Sequence, residues 1–337
     1  MQTAPAELDL TLGGSRVSAP PVIKIVRPPE WIIFAFLLYA ALLTFFWPVP
    51  QRLNARLVSL NSMVILLYMG LIFLDFAKPC LTFETIRDWL PLAMILLAYR
   101  EMGWFALPHR LTLREWQWVA WDRLVLGHGG RAVVESLGAV IPSALEMAYA
   151  LVYVLPPLSL AILYLYGRRG GAERFLTVLL LSILLCYAQF PFWPSEPPRV
   201  AFAGLDLPSY NTVFRRFNLW LLGHCGIHTS VFPSAHVAGA LSTAFGLRLA
   251  MPESKRIYRS LSVIAVLIAI ATVYGRYHYL ADAMFGAVIA CAVNFFVQGI
   301  LANRIGTKPK SRASRHRDDD DEQPPRYPKS QVARERR

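Results

Sequence analysis

A chain of 337 residues that is 55% hydrophobic and 17% charged, with a mean hydropathy of +0.41, is too apolar for a soluble domain, where the apolar share is about 45–50%. Its net charge of +12 would suit nucleic acid. The basic residues, however, gather in loops between apolar segments and in the C-terminal tail, as orientation in a membrane demands, so no nucleic-acid partner is expected.

Charge-free runs cover Trp31–Pro50, Leu57–Leu74, Leu261–Tyr274 and, apart from Asp282, Tyr279–Ala302. Repeated runs of this kind predict an all-α polytopic membrane bundle of about eight hydrophobic segments. The short alternating segments of a membrane barrel are not seen.

In chain order, residues 1–30 read as a cytoplasmic tail without a cleavable leader pattern. Span one is Trp31–Trp47, span two Asn61–Ala77, and span three Trp89–Trp104, broken by Arg100 and Glu101 near its end. Leu111–Arg131 interleaves Trp116, Trp118 and Trp121 with Arg114, Glu115, Asp122 and Arg123, which predicts an interfacial segment with tryptophan at headgroup level. Ala132–Ile141 reads as a short re-entrant helix, and span four as Ala144–Tyr166. After the basic loop Gly167–Arg174, span five is Phe175–Phe192. Trp193–Val231 is a long connection carrying Pro194, Pro197, Pro198 and Arg199, and loops of that length are functional or disordered. Spans six, seven and eight are Pro233–Met251, Leu261–Tyr274 and Tyr279–Ala302. The charged tail 304–337, with its acidic run Asp318–Glu322, is expected to be disordered and to touch anionic lipid heads.

The loops Gly167–Arg174 and Pro252–Ser260 and the basic tail set these parts on the cytoplasmic side, with both termini inside and His236 and His278 on the opposite face. Arg52, Arg56, Arg110, Arg114, Arg123 and Arg131 run against that rule. Cys80, Cys186, Cys225 and Cys291 are scattered, with no paired spacing for zinc or redox work. His224 and His228 flank Cys225 too loosely to make a specific metal pattern, so no metal or other cofactor is expected.

Two polar clusters stand out. His278 and Asp282 are one helical turn apart, so one helix face carries both. A carboxylate there can hold one ring nitrogen and leave the other as a nucleophile or base; the bland alternative is a self-satisfied interfacial pair. Pro233-Ser234-Ala235-His236 opens a helix. Helix N-termini hold phosphate oxygens, and His236 in the first turns could protonate a leaving oxygen; the bland alternative is a serine cap beside a bystander histidine. Arg199 and Arg276 could serve the same anion. Together Arg199, Ser234, His236, Arg276, His278 and Asp282 predict a phosphate site.

Here the sequence resembles the type 2 phosphatidic acid phosphatase superfamily, over a stretch from about Ala148 to Val297. Pro233-Ser234-Ala235-His236 matches its Pro-Ser-x-His motif, and His278 to Asp282 its His-x-x-x-Asp ending. Thr272 stands where the superfamily usually has arginine, and Phe192 where it usually has lysine. Pro197-Pro198-Arg199, His278-Tyr279, Trp121-Asp122-Arg123 and the Tyr149–Pro157 region look more like the inositol phosphorylceramide synthase branch. The resemblance implies a six-helix catalytic domain over residues 111–303, beside membrane helices in residues 31–110. It implies His278 as the residue that forms a phosphohistidine, Asp282 as its orienter and His236 as acid and base. Arg199, Arg276 and the Ser234 turn would bind phosphate, and no metal would be needed. The implied substrate is a phospholipid or sphingolipid in the bilayer. A lipid alcohol as acceptor makes a headgroup transferase, and water makes a lipid phosphatase; a transporter or lipid-binding protein without chemistry is the alternative of another class.

Overall fold

A computed structural model describes residues 25–105, 111–227, 229 and 231–306. The tail expectations for residues 1–24 and 307–337, and His228, lie outside the described residues. All regular structure among the described residues is helical, as the apolar runs predict. The chain falls into two units, Met1–Val297 and Gln298–Arg337, and the described part of the second is the end of the last helix.

The helices are α1 (Pro28–Phe46), α2 (Gln51–Ala77), α3 (Leu81–Trp104), α4 (Leu113–Val125), α5 (Arg131–Glu135), α6 (Val140–Leu151), α7 (Leu155–Leu165), α8 (Ala172–Gln189), α9 (Pro198–Ala201), α10 (Val213–Cys225), α11 (Ala235–Ala250), α12 (Lys255–Tyr274) and α13 (Leu280–Gly306). Among the described residues, five stretches are long and apolar enough to cross a membrane: Pro28–Phe46, Gln51–Ala77, Arg169–Gln189, Lys255–Tyr274 and Leu280–Asn303. Leu113–Glu135 and Val140–Leu151 make a sixth if they count as one span broken by a 106° bend.

The eight expected segments therefore divide differently. Segment three is α3, where Glu84, Arg87, Asp88, Arg100 and Glu101 interrupt every span-length stretch. Segment four is two helices, α6 and α7, because Pro156 and Pro157 in the first turn of α7 cannot donate back to the preceding turn. Segment six is α11, which at 16 residues rises only about 24 Å. The long connection after α8 is not irregular. It folds α9 and then α10, whose Thr212 side chain caps the Arg215 amide.

Helix α11 is the centre of the bundle, packed between α8 and α12. Ala238, Gly239, Ala240, Ser242, Thr243, Ala244 and Gly246 of α11 are all buried. Small side chains let helix backbones approach closely where lipid supplies no hydrophobic drive. A Cβ on Gly246 would meet the Phe175 carbonyl oxygen at 2.9 Å, so α8 and α11 touch nearly backbone to backbone.

At the N-terminal end of α8 a buried ionic cluster clamps α1, α2, α3, α7 and the turn before α8 together. Arg87 donates to Glu30 (2.7 Å) and Asp75 (2.6 Å), and Asp88 accepts from Arg27 (2.7 Å), Tyr164 (2.6 Å) and Arg169 (2.8 Å). This is why the first half of α3 tolerates Glu84, Arg87 and Asp88: each is paired rather than left in an apolar medium. Arg174 at the same end of α8 donates to Leu249 at the end of α11 (3.3 Å), so these two helices run antiparallel. The start of α11 therefore lies at the far end of the bundle from this cluster.

Candidate active site

Helices α11 and α13 begin side by side. Ser234 caps α11, its hydroxyl accepting from the Val237 amide at 3.3 Å. The Ser234 amide donates to the Asp282 carbonyl at 3.0 Å. A Cβ on Gly286 would lie 2.3 Å from the Ser234 carbonyl oxygen, so only glycine permits this approach. Two helix starts, one carrying His236 and the other Asp282, are held together by backbone.

The polar side chains there form a line. His278 Nδ1 lies 3.3 Å from Asp282 Oδ2, His278 Nε2 lies 3.2 Å from His236 Nδ1, and His236 Nε2 lies 3.1 Å from the Tyr153 hydroxyl. Asp282 Oδ2 also accepts from the Tyr279 amide at 3.0 Å. A carboxylate only accepts, so it assigns the proton of His278 to Nδ1 and leaves a lone pair on Nε2. Burial first, and the Arg199 charge next, push the His278 imidazole down to about 3, so the ring is neutral at neutral pH.

Four of the six expected residues meet here: Ser234, His236, His278 and Asp282. The Ser234 hydroxyl is fully buried and occupied by the cap. Arg199 joins through the loop between α12 and α13. Its amide donates to the Arg276 carbonyl at 3.1 Å, and its guanidinium lies 5.5 Å from the Tyr277 ring centroid. Burial lowers the pKa of Arg199, and no carboxylate pairs with it among the described residues.

Arg276 is different. Its guanidinium is wholly buried and donates to Asp122, whose other oxygen accepts from the Leu280 amide at 2.7 Å. Through Nη1, Arg276 thus makes an ion pair that fastens α4 to the start of α13, while its Nε and Nη2 have no hydrogen-bond partner among the described residues. The φ of Arg276, +61°, lies in the left-handed region and sends its side chain off the path its spacing from His278 suggests.

The sequence reading gave no role to Arg215, Glu146 and Tyr277, and noted Tyr149 and Tyr153 only within the Tyr149–Pro157 region of the resemblance. Glu146 accepts from Tyr277 (2.5 Å), Arg215 (2.9 Å) and Asn218 (2.8 Å), and Arg215 also donates to the Gly275 carbonyl at 3.2 Å. The signal for Glu146 was an ionisable residue in an apolar helix, which in a membrane has a partner or a task. Glu146→Ala is expected to destabilise the protein by about 3–5 kcal/mol, since it orphans a buried arginine; thermal unfolding in detergent checks it.

The tryptophans of α4 do more than mark an interface. Trp118 stacks on Phe232 at 5.0 Å and leans on Tyr279, and Trp116 meets Phe202 at 4.8 Å, while Trp121 is exposed. His224 turns away to the Trp220 carbonyl at 2.8 Å.

Two histidines, a carboxylate and an arginine without a carboxylate partner among the described residues gather at one end of helices long and apolar enough to span a membrane. The family model described as the PAP2 superfamily matches residues 120–296, which contain every one of these site residues, and the chain belongs to that superfamily. Its members are phosphatases and phosphotransferases. No curated protein and no solved structure matches the chain.

Proposed function

We propose that the protein transfers a phospho-headgroup from one lipid to another through a phosphohistidine on His278, as an inositol phosphorylceramide synthase-like enzyme. The observation that carries this reading is the Asp282–His278–His236 line beside an arginine without a carboxylate partner among the described residues.

His278 Nε2 attacks phosphorus, and the bond from phosphorus to the leaving alcohol oxygen breaks. That oxygen takes a proton from His236. In the second half the acceptor hydroxyl gives its proton to His236, its oxygen bonds to phosphorus, and the nitrogen–phosphorus bond breaks. Arg199 balances the charge that develops on the phosphoryl oxygens.

A groove of about 430 Å³ lined by Val237, Leu241, Val273, Leu280 and Ala283 runs beside the first turns of α11 and α13, and its apolar lining supports a lipid substrate. Residues 111–303 are the catalytic part on this reading. The basic turns of residues 167–174 and 252–260 lie at the opposite end of the bundle from His236, which supports an extracytoplasmic site.

Purified protein in mixed micelles with EDTA, supplied with phosphatidylinositol and either ceramide or diacylglycerol, is expected to make a new phospholipid only when the alcohol is present. Free phosphate from phosphatidic acid or a polyprenyl diphosphate, without added alcohol, would replace the transferase reading with a lipid phosphatase. No product from any mixture by folded protein would sink both and favour a non-catalytic lipid binder.

A further inference from the structure

The break between α6 and α7 is where Tyr153 sits, and it carries that residue to His236. The Tyr153 hydroxyl is 3.1 Å from His236 Nε2, and the Tyr149 hydroxyl is at 3.5 Å. The two tyrosines hold the ring differently. Tyr149 lies in a continuous stack, 5.3 Å from His236 on one side and 4.1 Å from Tyr277 on the other, both at 21°. Tyr153 meets the ring edge-on, at 88°, so its contribution is the hydroxyl.

The partner chemistry of the two histidines is unlike. Asp282 only accepts, which suits a ring that must keep one proton on Nδ1 and one lone pair on Nε2. A phenol both donates and accepts. It can accept from Nε2–H while a proton comes and goes at Nδ1, the atom that faces His278. We infer that Tyr153 is a positioning residue that lets His236 work alternately as acid and base, by accepting from Nε2–H while Nδ1 exchanges the proton. This rests on the phosphohistidine reading above. In the first half Nδ1–H of the imidazolium passes to the leaving oxygen and Nε2–H stays on Tyr153. The neutral ring then presents the Nδ1 lone pair to the acceptor hydroxyl, and the imidazolium is restored. The titratable groups facing His236 are His278, Arg199, Tyr149 and Tyr153.

The test compares Tyr153→Phe with Tyr149→Phe and the parent protein. Each is given the alkyl ester and the p-nitrophenyl ester of whichever headgroup phosphate the parent turns over. A nitrophenolate leaves without a proton, so it bypasses the acid. Tyr153→Phe is expected to slow the alkyl ester about tenfold and the nitrophenyl ester far less. The alkaline limb of the alkyl-ester profile should move to lower pH, because an imidazolium without its acceptor loses its proton more readily. Tyr149→Phe, which keeps the stacked ring, should slow both esters by the same factor and leave the limb in place.

Equal slowing of both esters by Tyr153→Phe with an unmoved limb, or no slowing at all, overturns the inference and leaves the phosphohistidine reading standing. Turnover that survives in His278→Ala overturns that reading instead. A parent protein inert toward every ester overturns both.

Discussion

His278→Ala is expected to lower turnover by about 10⁴-fold or more while the protein still folds. Which nitrogen is available decides the effect. Asp282 takes the Nδ1 proton, and the backbone holds the ring in place, since the His278 amide donates to the Thr272 carbonyl at 3.0 Å. What remains is a neutral ring with a lone pair on Nε2, a geometry that alanine cannot imitate. Folding is spared because the same backbone bond persists in the variant, and Asp282 keeps its bond from the Tyr279 amide. Headgroup transfer in micelles reads the first half of this expectation, and thermal unfolding of the same preparation reads the second. Retained turnover would remove His278 from the chemistry.

The second large effect belongs to Arg199. Arg199→Ala is expected to reduce kcat by about 10³-fold, the scale seen when a charge-stabilising donor is taken from a developing oxyanion. Arg199→Lys should recover only part of it, because an ammonium lacks the planar fork that meets two phosphoryl oxygens at once. Stability should hardly change, since no carboxylate among the described residues is stranded. Arg276→Ala gives the contrast: it strands the buried carboxylate of Asp122, so its loss should show first in unfolding temperature. If Arg199→Ala unfolds the protein while Arg276→Ala leaves it stable, the roles drawn for these two arginines are reversed.

Much of the site was legible in the sequence because the relevant distances are short. The turn from His278 to Asp282 and the cap at Ser234 are local, and local geometry follows from residue order. Arg276 shows where this stops. Its spacing from His278 suggests a shared anion, yet a left-handed φ and a partner 154 residues away decide where it points. Tyr153 was hidden for a similar reason. It lies in what reads as one continuous apolar span, and only the break before Pro156 turns it toward His236. In the fold, the long apolar helices were plain from charge-free length. The charged helix α3 was misread because its partners, Glu30, Asp75 and Arg169, come from other elements. Helix α10 was overlooked because Pro194, Pro197 and Pro198 open the connection that contains it.

The separations within the two buried ion pairs also say something about how such a protein is made. Asp122 is synthesised 154 residues before Arg276, and Glu146 is synthesised 69 residues before Arg215. During synthesis each acid therefore emerges without the base that will neutralise it. A carboxylate buried without a partner is costly, so neither segment can settle into its final packing until its late partner arrives. The reaction centre is consequently among the last regions to assemble, and a chain cut short before Arg276 carries an unanswered charge in α4 that marks it as unfinished.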